Sequence, residues 1–122
     1  MTDTTNRELL IFAAKAAAVE GEYESWTGQG FKEGIRQVLN GAKCLRPWNP
    51  LTDDGDALRL AAKLHIEILL NSPKETPMWV SAVVKNTKTH VVEEYETFEQ
   101  KIAAFCRVIT RAAAAIGGLC ND

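Results

Sequence analysis

From Thr97 to Gly118 the chain carries a periodic signal that leaves few architectures open. Phe98, Ile102, Phe105, Ile109, Ala113 and Ile116 recur at spacings of 4, 3, 4, 4 and 3, the interval that puts side chains on one face of an α-helix. Thr97-Phe98-Glu99-Gln100 starts the segment in capping-box form, and Gly117-Gly118 stops it. The expected element is a helix of about five turns with a continuous apolar face. Such a face is stable only against a partner surface, so the rest of the chain has to provide one.

Upstream segments supply it. Thr5-Asn6-Arg7-Glu8 is a second capping box. Leu9, Phe12, Ala13, Ala16 and Ala17 then form a stripe that predicts a helix to about Val19, ended by Gly21. Its alanines let the helix lie close to whatever it covers. In the middle of the chain Ala57, Leu58, Leu60, Ala61 and Leu64 predict a short amphipathic helix, with Asp56, Arg59 and Lys63 placed to pair along its exposed side. Strand candidates lie at Glu22–Trp26, Ile66–Leu70, Met78–Val84 and Thr89–Glu93, and turn formers separate the last three into a meander. Residues 27–47 carry two competing patterns. Asn40-Gly41 between IRQVL and AKCLR is a hairpin signal, because both residues tolerate positive φ. FKEGIRQVL also reads as a helix with Phe31, Ile35 and Val38 on one face, and the hairpin is preferred. The expected fold is α+β: a single-domain α/β sandwich over residues 1–122, with a mostly antiparallel sheet of about 4–5 strands packed by N-terminal, middle and C-terminal helices.

Composition narrows the function classes. A length of 122 residues suits one domain with one real core. The net charge of -2 leaves no basic footprint, so nucleic acid is not an expected partner. Cys44, Cys106 and Cys120 stand far apart without a C-x-x-C pair, which argues against a zinc knuckle and suits a reducing cytosol. The first residues lack the basic and apolar regions of a secretory signal, and no run approaches the roughly 20 apolar residues of a membrane span. The expectation is a soluble cytoplasmic protein with no membrane partner.

The stretch WNPLTDDGD, residues 48–56, is the densest candidate for chemistry. An EF-hand loop needs oxygen ligands at alternate positions and a closing bidentate acid, whereas these acids run straight into a helix pattern. Thr52 or Asp53 as helix cap, with the other acids in the first turn, accounts for them. Pro50 restricts Asn49 to extended geometry, so Trp48 precedes a stiff elbow and either plugs the core or lines a pocket; packing is the preferred reading. Trp26 and Trp79 pose the same choice. His65 and His90 belong to no metal-binding or catalytic motif, and His65 near a helix C-terminus has a dipole reason to be there. Cys106 reads as a buried small hydrophobe. Cys44 with His90 is the thiol–imidazole pairing left open. Gly28-Gln29-Gly30 lacks the context of a phosphate loop. No catalytic set, metal or cofactor is expected. The cations Lys32, Arg36, Lys43 and Arg46 cluster loosely in the ambiguous stretch.

RELL and FAAKAAAVEGEY near the start, WNPLTDDGDALRLAAKLHI in the middle and VITRAAAAIG toward the end together resemble the phage ABA (alpha-beta-alpha) sandwich domain, a family of small phage- and prophage-encoded proteins. The middle block, from Trp48 to Leu64, carries most of the likeness; it thins over residues 27–47 and 71–100. EQKIAAFCRVITRAAAAIG stands where such proteins have an arginine-richer helix. The resemblance implies a sandwich fold and a bacterial-host setting, and it carries no catalytic or binding residue across. It leads to the expectation of an accessory protein that binds a host or phage protein stoichiometrically, of anti-defence type, with homodimer formation as an option. The binding candidates are Tyr23, Trp26, Arg36, Arg46 and Trp48, because residues 22–49 are the least accounted for by core periodicity and these residue types dominate interface energetics. The alternative is a small-ligand binder with a pocket beneath the Trp48 loop, where amides at the second helix's N-terminus receive an anion.

Overall fold

The computed structural model describes residues 5–26, 32–43, 46–71, 74, 76–85 and 87–119. Helix α1 (Asn6–Ala17) begins as its sequence requires: the Thr5 hydroxyl accepts from the Glu8 amide at 3.1 Å, and the Glu8 carboxylate accepts from the Thr5 amide. A cap of this kind stabilises by about 1 kcal/mol. The helix ends at Ala18, which turns left-handed at φ 56°, so Gly21 is not its stop signal. Gly21 instead serves the entry to β1 (Glu22–Trp26), where a Cβ would collide with the Arg36 carbonyl oxygen.

Strand β1 pairs antiparallel with β2 (Lys32–Arg36), Tyr23 standing opposite Ile35. Next, β3 (Val38–Leu39) and β4 (Ala42–Lys43) form a tight hairpin through Asn40 (φ 54°) and Gly41 (φ 81°). Two successive positive φ values are those of a type I′ turn, which Asn-Gly favours. The hairpin expectation therefore holds, and β2 and β3 stand where the competing helix would have run. Helix α2 (Asp54–Leu64) is capped by Asp53, whose carboxylate accepts from the Asp56 amide at 2.8 Å. His65 ends it in the left-handed region at φ 55°. Then β5 (Ile66–Leu70), β6 (Met78–Val84) and β7 (His90–Tyr95) make the expected antiparallel meander, β7 reaching two residues further than its sequence pattern.

The lateral organisation differs from expectation. In place of one sheet of about 4–5 strands, the described strands form separate sheets, β1-β2, β3-β4 and β5-β6-β7. The reason lies at the free edge of β2. Trp48 occupies it, its amide and carbonyl exchanging bonds with Ile35 at 2.9 and 2.8 Å. Gly34 permits that approach, since a Cβ there would come within 2.7 Å of Pro47 Cβ and the Trp48 carbonyl oxygen. With the Trp48 loop on this edge, the meander does not join it.

Helix α3 (Phe98–Ile116) has its capping box, with Gln100 N donating to Thr97 Oγ1 and Thr97 N to Gln100 Oε1, both at 3.2 Å. It is the central element. One side covers the meander with α2, and the other meets α1, so its C-terminal half is buried over most of its circumference. Alanines make this possible by letting backbones approach: a Cβ on Gly117 would collide with the Phe12 carbonyl oxygen. The apolar stripe expected to face the core does so only in part. Ile109 and Ala113 are buried, but Phe98 is 74% exposed and Ile102 is exposed too, because the first turns of α3 run beyond the elements that would cover them. No helix among the described residues is long and apolar enough to cross a membrane.

Candidate functional site

The segment from Arg46 to Asp56 is held by a dense set of polar contacts, most of them within itself and others to Glu33, Ile35 and Arg59. Asn49 is buried and spends its whole side chain locally: Oδ1 accepts from the Leu51 amide at 2.9 Å and Nδ2 donates to the Glu33 carbonyl at 2.8 Å. The Asx turn and Pro50 thus fix the elbow that sequence suggested. Asp56, only 2% exposed, is the hub. Its carboxylate accepts from Arg46 (3.1 and 3.3 Å), from Arg59 (2.8 Å) and from the Asn49 amide (3.0 Å). Burial alone pushes this carboxyl up, but the bonds from Arg46, Asn49 and Arg59 together outweigh it and hold the pKa below the usual carboxylate value. Arg46 is raised correspondingly, by its hydrogen bond to Asp56 and that carboxylate's charge.

The sequence candidates resolve as follows. Tyr23 and Trp48 flank Ile35 in one cross-strand row, and both pack against a small cluster of Leu10, Ala14 and Ile35. Tyr23 also donates its hydroxyl to Glu33 at 2.5 Å beneath the Arg7 guanidinium, 5.6 Å from the ring centre; burial and then Glu33 push its pKa up. Trp48 packs as well against the larger cluster around Val80 and Val108, so the packing reading of this indole is the one observed. Arg46 is engaged by Asp53 and Asp56. Arg36 closes β2 opposite Glu22, and Trp26 closes β1 opposite Lys32. Three of the five candidates, Tyr23, Arg46 and Trp48, are therefore occupied in holding the fold. The side chain of Trp26 lies outside the described residues.

Other expectations meet similar outcomes. Asp53 caps α2, as anticipated. Asp56 does not lie along the exposed side of the helix as expected, for it is buried beneath Arg46 and Arg59. At the α2 N-terminus Asp53 takes the Asp56 amide, one of the amides the anion reading would use. Cys106 is buried and directs its thiol at Asp54 (3.4 Å); burial first, then Asp54, push its pKa up to about 12, so it stays a thiol at neutral pH. Among the described residues no three His, Cys, Asp or Glu side chains are grouped to hold a metal ion. His65 and His90 are exposed and belong to different elements. Cys44, Cys120 and Gly28-Gln29-Gly30 lie outside the described residues.

Three surface features were not signalled by motif. A cleft of about 520 Å³ beside Trp48 is walled by Gln37, Arg46, Arg59 and Lys63, the last donating to the Ala17 carbonyl at the end of α1. An apolar groove of about 350 Å³ runs between α2 and α3, lined by Leu58, Ala61, Ile68, Ile102 and Phe105. The third is the β3–β4 hairpin, every residue of which from Val38 to Lys43 is exposed. The Asn-Gly turn predicted this hairpin, but no sequence signal says that its apolar side chains go uncovered. Comparison of the chain with protein-family models, with curated proteins and with solved structures finds no match.

Proposed function

We propose that the protein acts by stoichiometric binding to another protein, in the manner expected of the phage accessory proteins its sequence resembles, with a host or phage protein in the bacterial cytoplasm as the target. The observation that supports this reading is the β3–β4 hairpin. Val38 and Leu39 are 52% and 60% exposed on a turn whose backbone is already organised. Ordered apolar side chains held in water contribute little to folding, and a pre-shaped hairpin presents them to a partner at low entropic cost. The hairpin lies within residues 22–49. Tyr23 and Trp48 then act from beneath, by packing the small cluster around Ile35 on which β2 rests. A tagged chain incubated with host lysate is expected to retain one protein at near-equal stoichiometry, and Leu39→Asp to lose it with an unchanged melting temperature. Retention of the same partner by Leu39→Asp would move the surface elsewhere, and the absence of any retained partner would sink the masking reading.

A second reading has an observation of its own. Arg46, Arg59 and Lys63 line one cleft with Trp48, a combination suited to a small anion carrying a flat ring. Two of these cations already serve Asp56, which favours the first reading. A nucleoside phosphate that fitted the cleft would raise the melting temperature by mass action; a flat response across mono-, di- and triphosphates removes the idea.

A further inference from the structure

Among the described residues the meander has two free edges, and the chain treats them differently. At β7 the edge is guarded: His90, Glu93 and Glu94 lie on the strand, and Arg111 of α3 reaches across to donate to the Val92 carbonyl at 3.0 Å and to the Glu93 carboxylate. Charged side chains and covering groups are how natural sheets keep edges from pairing. At β5 these devices are missing among the described residues. Ile66-Glu67-Ile68-Leu69-Leu70 contains no proline and one charge, and that charge is tied to Lys85 of its own chain at 2.9 Å. Leu69 and Leu70 are 49% and 46% exposed, one on each face of the strand. Beside the same edge, on the helix-covered face, Ile68 forms the floor of the apolar groove between α2 and α3, with the exposed Leu58 above it.

We propose that β5 pairs antiparallel with β5 of a second copy of this chain, about a two-fold axis at Ile68, joining two meanders into one sheet and closing the α2–α3 groove against its counterpart. A single operation then covers Leu69 on one face of the sheet and Leu70, Leu58 and the groove on the other. The strand is suited to itself in this register. Ile66 meets the second copy's Leu70, Ile68 meets Ile68, and Glu67 meets Leu69, so each pair keeps its face and no like charges oppose one another. Moving the axis by one residue to Glu67 would set the two carboxylates face to face. Charge therefore disfavours the Glu67 axis, and the Ile68 axis pairs all five residues of the strand. Stable interfaces cover about 800 Å² per partner, roughly a tenth of the surface of a protein this size. A five-residue edge falls short of that alone, and the adjoining groove supplies further apolar area. The inference stands apart from the masking activity, since β5 and the β3–β4 hairpin share no residue.

Sedimentation equilibrium of the full chain over rising concentration tests it. The expected mass at high concentration is twice the 13.4 kDa of one chain. Leu69→Glu, which sets a carboxylate against Glu67 of the other copy at both symmetric positions, is expected to raise the dimer dissociation constant about tenfold. Leu69→Lys sets an ammonium there and is expected to leave that constant equal or lower. Leu58→Asp, on α2 beside the groove, is expected to weaken the dimer without touching the strand. Circular dichroism of each variant as monomer confirms its fold. A wild-type chain that stays monomeric overturns the proposal, and so does a dimer that Leu69→Glu and Leu69→Lys weaken equally.

Discussion

Around Val80 and Val108 the interior is a layer of small and branched side chains pressed between the meander and α3, with Ala104, Ala112 and Ala113 allowing close approach. Around Ile35 it consists of Leu10, Ala14 and Ile35, roofed by Tyr23, Trp48 and Leu51. The larger cluster is secured by apolar burial at about 25 cal/mol per Å². The smaller has too little apolar surface for that, and polar fastenings surround it: Tyr23 to Glu33, Asn49 to Glu33 and Leu51, and Asp56 to both arginines and the Asn49 amide. The two halves of one small domain thus depend on different physics, one on packing and the other on charge-assisted hydrogen bonds. Only Trp48 and Val19 pack against both clusters among the described residues.

The sharpest way to separate the halves is to cut the bridge. Trp48→Ala should cost about 3 kcal/mol, toward the low end for a truncated aromatic because the ring is half-buried. Hydrogen exchange should accelerate more at α1 and β2 amides than at β6 amides; equal acceleration would show that the two clusters open as one unit. Next in size is Asp56→Asn, expected to cost about 2 kcal/mol at neutral pH because it loosens two guanidiniums and the Asn49 amide at once. The sign of its pH dependence follows from the depressed pKa. Stability from Asp56 is fully present above the usual value of 3.8 and is lost as pH falls through the lower folded value. Urea midpoints of wild type and Asp56→Asn should accordingly converge in acid, and curves that stay parallel would mean that Asp56 is not the group responsible. The smallest effect belongs to Thr97→Ala, about 1 kcal/mol from the lost cap of α3. It should lower the urea midpoint while leaving the α1 and β2 exchange pattern in proportion, since its site of action is the larger cluster.

How far the sequence reaches depends on whether a residue's partner is near it in the chain. Both capping boxes, the Asp53 cap, the Asn40-Gly41 turn and the meander are local, and each is found where its pattern lies. The fate of Asp56 was not readable, because its role depends on Arg46, ten residues away on another element. The division of the sheet was hidden for a related reason: a strand pattern encodes which faces alternate, not which edge Trp48 will occupy once Gly34 leaves room for it. Periodicity also placed Phe98 and Ile102 on one face with Ile109 without saying where the covering elements stop. Among the candidate site residues, Tyr23, Arg46 and Trp48 each carry a structural contact that their residue types alone did not announce, since only burial and pairing reveal an anchor.

The position of α3 has a consequence for the order in which the molecule can be made. It lies between α1 and the meander, and it comes after every other described element in the chain. A nascent polypeptide that has reached Glu96 already contains α1, α2 and the strands, yet lacks the element that buries Ala13 and Ala17 on one side and Val80 on the other. Synthesis of nearly four-fifths of the sequence precedes the step that completes the larger cluster. During that interval the β5 edge is exposed along with the faces meant for α3, which leaves the partial chain open to aggregation and proteolysis. A fragment ending at Glu96 should be cut rapidly by protease where the full chain resists.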